Sequence, residues 1–191
     1  MPRSYMFTKE QVLDAAIELT REKGFSAVSA RSLGDRLGTT SRPIFSHFEN
    51  MADVQKGIIG AANKIYQSFR EEEIKSGRYV PYKASGMAYI RFAKEEKELF
   101  RFLFMRQNAF SELKEALAPI MDKSISRLME QYHIQHEEAH HFHDQLWVHT
   151  HGIASMIATG FCNWNMDKVK KMLAESEEYL SRKYGENNVF K

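Results

Sequence analysis

Residues 33–48, LGDRLGTTSRPIFSHF, constrain the fold of this chain more than any other stretch. Leu33 and Leu37 stand four apart, Gly38 interrupts the run, and Ile44 and Phe48 resume the same apolar spacing. Two short helices meeting at a Gly-Thr-Thr turn form a helix-turn-helix, in which one helix braces the next. Ser41, Arg42, Ser46 and His47 lie away from the inward-facing Ile44 and Phe48. Arg bonds guanine bidentately, and Ser and His reach bases or phosphates, so the pattern predicts a DNA reader lying in a major groove.

The flanks agree. Thr8 to Gln11 spell a capping box, and Val12, Ala15, Ala16 and Leu19 follow on one helical face. Gly24 ends that helix, and Phe25 can fold back onto it. Ser29 is the expected cap of a second helix that turns Ala30, Leu33 and Leu37 inward, with Gly34 allowing a close helix approach. Thr40 is the expected cap of the third helix. Pro43 falls in its first turn, where no N–H is needed, and leaves Thr40 to cap the Arg42 N–H. Pro43 also offers a stiff apolar surface to a thymine methyl. Asn50 caps a long helix over residues 51–75, which joins a DNA-reading part (1–50) to a regulatory and dimerisation part (51–191).

Composition makes that second part helical too. The chain has 191 residues, 43% of them hydrophobic, enough to bury a core. Only four Pro and ten Gly interrupt it, so the expected class is all-α, with further helices over 82–94, 97–107, 112–131, 135–161 and 167–184. The tail beyond Gly185 is polar and expected to fray. A net charge of +2 does not by itself argue for nucleic acid, so that case rests on where the charges sit. The lone Cys162, between Phe161 and Trp164, reads as a buried thiol and fits a reducing cytoplasm. No apolar run approaches the roughly 20 residues of a membrane helix, and the opening MPRSYMFTKEQ lacks a signal-peptide core.

Residues 8 to 56 resemble the TetR (tetracycline-repressor-like) family. The family's Leu-Gly-Val-Ser turn, three variable residues, Leu-Tyr and an aromatic or His before Phe stand here as Leu37-Gly38-Thr39-Thr40, Ser41-Arg42-Pro43, Ile44-Phe45 and Ser46-His47-Phe48. Phe45 replaces a Tyr whose hydroxyl often meets phosphate. Met51 replaces a Lys, leaving phosphate to a helix N-terminus or Lys56. The candidate DNA-binding set is Arg31, Thr40, Ser41, Arg42, Pro43, Phe45, Ser46, His47 and Lys56. Further on, Trp147 to Gly152 is similar to the Trp…His-Gly signature of one group of TetR-type C-terminal domains. The resemblance implies a transcription regulator, most simply a repressor of a near-palindromic operator, without enzymatic activity or cofactor. It also implies a homodimer paired through its last two helices, with a small effector held in each subunit.

Two further patterns bear on that implied function. Tyr89, Phe92, Phe104, Met105, Met121, Trp147 and His151 are candidates for an effector pocket or plain core, and Gly152 leaves room for a ligand or a close helix. Val169, Met172, Leu173 and Leu180 form a stripe that must be covered by protein, and dimerisation is expected there.

Seven of the eight histidines lie between His133 and His151, which raises a metal hypothesis. His136-Glu137-Glu138-Ala139-His140 even spells a zincin motif for a metal-dependent hydrolase. The segment is polar and signals no third ligand, so a protease is rejected. His136, His140 and His143 remain weak candidates for metal sensing beside a favoured solvated or interfacial reading.

Overall fold

The computed structural model describes residues 6–185, which form α-helices joined by short turns. The Thr8 hydroxyl accepts the Gln11 N–H at 3.2 Å, and the Thr8 N–H donates to Gln11 Oε1 at 2.8 Å. These bonds satisfy first-turn donors at the start of α1 (Lys9–Lys23). Gly24 closes α1 at φ +77°, a region that side chains with a Cβ seldom enter. Phe25 then stacks on Phe102 with ring centroids 4.3 Å apart, which ties the end of α1 to a helix from the second half. Ser29 and Ser32 cap α2 (Ala30–Arg36) reciprocally.

Asn50 accepts the Asp53 N–H at 3.0 Å and opens α3 (Met51–Lys75). There follow α4 (Pro81–Glu95), α5 (Lys97–Phe104), α6 (Ala109–Tyr132), α7 (His136–Ala158) and α8 (Met166–Gly185). The all-α class is as the sequence predicts, but two helices are shorter than expected. The helix expected over 97–107 stops at Phe104, because Asn108 turns left-handed at φ 60° and α6 restarts beside it. The helix expected to run to 161 stops at Ala158, with Gly160 at φ +72°. The expectation for the tail beyond Gly185 lies outside the described residues. Among the described residues, no helix is long and apolar enough to cross a membrane.

Val12, Ala16, Leu33, Ile44, Phe48, Val54 and Ile58 are buried beneath the helix-turn-helix. Burying a large aliphatic or aromatic side chain contributes roughly 1.5–3 kcal/mol, so these anchors hold the reader onto α3. The apolar cluster does not end at residue 50: it continues through Tyr66, Phe92, Phe100 and Leu103 to Ile153 and Val169. The Arg21 guanidinium adds a bidentate bond to Glu96, at 2.6 and 2.9 Å, between α1 and the α4–α5 corner. At the far end of α3, the buried Glu73 carboxylate accepts from Arg78 at 2.9 Å and Arg91 at 3.2 Å. Both ends of α3 are thereby anchored.

The stripe on α8 lies elsewhere than expected. Val169, Leu173 and Leu180 are buried within their own subunit, and Met172 is half-buried. Val169 and Leu173 belong to the main core, whereas Leu180 joins Phe142 and Ile125 in a smaller one. Helical periodicity specifies that a face is covered, not which chain covers it. The expectation that this stripe forms the dimer surface is therefore corrected.

Candidate nucleic-acid interface and ligand cavity

The segment after the turn is one tight turn rather than the expected α-helix. Ile44 N–H donates to Ser41 O at 3.3 Å, Ser46 N–H to Pro43 O at 3.2 Å and His47 N–H to Ile44 O at 3.1 Å. These three-residue closures make a 3-10 turn at Ile44–Ser46 with no side-chain cap, so Thr40 does not play the capping role expected of it. Pro43 stands immediately before the turn and supplies no N–H to it. Gly34 is close to the turn and not to another helix. A Cβ there would sit 2.9 Å from the Thr39 carbonyl oxygen and 2.9 Å from the Thr40 carbonyl carbon.

Arg31, Thr40, Arg42, Ser46 and Lys56 are exposed, Ser41 and Pro43 are half-buried, and Phe45 is 43% exposed. The turn thus exposes Arg42, Ser46 and the Phe45 ring above the buried Ile44 and Phe48. His47 differs from its expected role: it is half-buried, and its Nε2–H donates to the Phe7 carbonyl at 2.5 Å. It holds the N-terminal segment against the reader. No spacing pattern signals a contact between residues forty positions apart.

About 220 Å³ of cavity lies among α3, α4, α6, α7 and α8. A single water needs roughly 10–15 Å³ on this scale, so the space suits a small organic molecule. Tyr89, Phe104, Met121, Trp147 and His151 line it, whereas Phe92 and Met105 do not. Phe92 is fully buried among the rings of Tyr66, Phe69 and Phe100, and Met105 is exposed beyond the end of α5. Sequence reasoning missed Arg70, Tyr82, Phe110 and His143, which also line the cavity. Polar residues on a long helix read as its solvent face, and nothing local marks Arg70 as turned inward.

Two Tyr–His pairs organise the polar part of the wall. Tyr89 Oη lies 2.8 Å from His151 Nδ1, and Tyr82 Oη lies 3.2 Å from His143 Nδ1. Burial lowers the pKa of both imidazoles below the usual 6.5 and raises both phenols above 10. Neutral imidazole therefore accepts from protonated phenol in each pair. The remaining His151 nitrogen, Nε2–H, donates to Ser155 Oγ at 3.3 Å. Burial likewise pushes Tyr66 up to about 12. Phe110 and Trp147 are exposed rings 6.3 Å apart at the cavity's edge.

Gly152 and the histidine cluster lie apart from this wall or only partly in it. Gly152 is not among the residues lining the cavity, and a Cβ on it would meet nothing within 4 Å. The His136 and His140 rings face each other at 4.9 Å, but His143 turns inward to Tyr82. The i, i+4, i+7 spacing sets all three on one side of α7, but His143 Nδ1 is engaged by Tyr82 Oη on α4 and is not free to join the other two. Among the described residues, no group of three or more His, Cys, Asp or Glu is placed to hold a metal ion.

Two family descriptions match the chain. "Bacterial regulatory proteins, tetR family" matches residues 12–56, and "Tetracyclin repressor-like, C-terminal domain" matches residues 82–176. A comparison with curated proteins finds no match. Among solved structures, the chain is similar to a TetR-family protein from Vibrio parahaemolyticus, with TM-score 0.62 and 16% identity over 89% of this chain and 96% of that one. It is also similar to SmeT, repressor of the multidrug efflux pump SmeDEF of Stenotrophomonas maltophilia, with TM-score 0.60 and 16% identity over 94% and 91%. RolR, solved in complex with resorcinol, aligns with TM-score 0.58 and 14% identity over 91% and 92%.

Proposed function

The chain belongs to the TetR family of DNA-binding transcriptional regulators, and we propose that it is a homodimeric repressor released from a near-palindromic operator by a small molecule. One observation carries this reading. A single helix, α3, starts three residues after the reader's Phe48 and lines the cavity with Tyr66 and Arg70. At 1.5 Å per residue, Met51 and Tyr66 are roughly 22 Å apart along the axis, so a 10° tilt about the cavity end moves the reader by ~4 Å. That displacement exceeds the length of a base hydrogen bond. A ligand that fits one tilt better than the other shifts the population between DNA-competent and incompetent forms.

In this reading residues 1–50 read DNA and residues 51–191 sense and pair. Arg31, Thr40, Ser41, Arg42, Pro43, Phe45, Ser46 and Lys56 face the duplex, while His47 steadies the N-terminal segment. The effector occupies the cavity bounded by Tyr89, Phe104, Met121, Trp147 and His151, as resorcinol accompanies RolR. The dimer forms on the outward row of α7, where Val148 and Met156 are exposed on either side of Gly152. The protein acts in the cytoplasm, where its operator lies.

Selection of random duplexes on the purified protein tests the reading. Enrichment of a palindrome with half-sites about 34 Å apart, or a multiple of that, supports it. Enrichment of no palindromic motif overturns it.

A further inference from the structure

We infer that the cavity takes a small organic acid, an apolar ring-sized body bearing one carboxylate that Arg70 holds. The inference rests on the reading of the cavity as an effector site and adds the chemistry of the ligand. Arg70 projects from α3 into the cavity wall, where its Nη1–H donates to Gln67 Oε1 at 2.8 Å and its Nη2–H to Ser85 Oγ at 3.3 Å. Both partners are neutral. Its Nε–H is buried and has no acceptor among the described residues.

Other partly covered arginines of this fold are matched by acids: Arg21 by Glu96, Arg91 by Glu72 and Glu73, and Arg106 by Glu112. Arg70 alone among these four faces the cavity, and no carboxylate among the described residues answers it. A guanidinium in a poorly hydrated wall interacts strongly with any anion brought beside it. Its planar fork matches a carboxylate, which would take the orphaned Nε–H and an Nη–H together.

The rest of the wall sets the ligand's body. Phe104, Leu113, Leu117 and Trp147 are apolar, and the Tyr82 and Tyr89 hydroxyls already donate to His143 and His151, so most of the ligand's body meets apolar surface. Lys83 adds a second lining cation. Glu177 is the lining carboxylate, already accepting from Tyr132 Oη at 3.3 Å, and it disfavours a second acidic group on the ligand. It also defines the competing outcome, an amine bound at Glu177.

The test loads the full chain with N-phenyl-naphthylamine, a neutral dye that brightens in apolar surroundings. Phenylacetate, phenylacetamide and phenethylamine, three heads on one body, are then used to displace it. Phenylacetate is expected to displace the dye at a tenfold or more lower concentration than the amide or the amine. In Arg70→Gln the acid-to-amide ratio should fall to near one while the dye still enters, and Arg70→Lys should keep part of the preference. A merely structural role for Arg70 would weaken acid and amide together and leave their ratio unchanged, which overturns the inference. Equal displacement by acid and amide in the unaltered protein, or preference for the amine, also overturns it and leaves the effector cavity standing. Failure of the dye to enter overturns both.

Discussion

Trp147 and His151 stack one helical turn apart, with ring centroids separated by 5.4 Å and planes 18° from parallel. Burial keeps His151 neutral, and the same is true of His143. The unfolded chain, with histidines near 6.5, therefore binds more protons than the folded one as pH drops below that value. This contribution to stability is complete above about pH 6.5 and is lost as pH falls through the lowered folded-state values. The urea midpoint should hold steady between about pH 7 and 8 and decline below about 6.5. His143→Gln combined with His151→Gln should flatten that decline. Exposed carboxylates such as Glu22 and Glu112, lowered by their arginine partners, titrate below 4.5 and fall outside this window. An unchanged slope in the double variant would show that other groups govern it.

Arg42 is exposed on the reading turn, where a bidentate contact to guanine is within its chemistry. Arg42→Ala should weaken the selected operator by about 1–3 kcal/mol and relax preference at one base position in each half-site. Lys56→Ala should weaken all duplexes alike and reduce the salt dependence by about one counterion. Competition binding at several salt concentrations separates the two. Uniform weakening by Arg42→Ala would make it a phosphate contact instead.

Gly34→Ala tests whether the turn's position depends on a missing Cβ. The obstacles are backbone atoms of Thr39 and Thr40 at 2.9 Å, which cannot rotate aside as a side chain could. Overpacking of this kind costs about 1–3 kcal/mol. We expect a lower melting temperature and loss of operator binding, with dye uptake by the cavity preserved. Normal operator affinity in Gly34→Ala would mean that the turn tolerates displacement.

Much of this architecture is legible in local sequence. The Thr8, Ser29 and Asn50 caps, and the inward Leu33, Ile44 and Phe48, each follow from signals within a few residues. The illegible parts are those decided by distant chain. Arg70 faces inward because α4, α6 and α7 close around it, and His47 meets the Phe7 carbonyl, forty positions away in the chain. The same holds for Phe92, whose aromatic character suits a core and a cavity wall equally well. The 3-10 form of the reading turn is not legible either, because the spacing of Ile44 and Phe48 suits an α-helix equally well.

The dimer surface illustrates the same division and yields a sharp test. Val148 is 61% exposed and Met156 is 40% exposed, and with Gly152 they recur every fourth residue along α7. A row of exposed apolar side chains with a glycine between them permits close approach by a partner helix. Tyr179, 70% exposed on α8, supplies further apolar surface. Because no described atom outside its own stretch of helix lies within 4 Å of a Cβ at Gly152, Gly152→Leu should leave secondary structure and dye uptake intact. It should nevertheless weaken dimerisation by at least tenfold, about 1.4 kcal/mol, by holding the partner helix away. Val148→Glu with Met156→Glu should yield a folded monomer that binds a half-site but not the palindrome with dimer affinity. Leu173→Glu, by contrast, places a charge in the subunit core and should unfold the protein instead of separating it. Sedimentation velocity with circular dichroism distinguishes these results. An unaltered dimer in Val148→Glu/Met156→Glu would remove the α7 row from the interface.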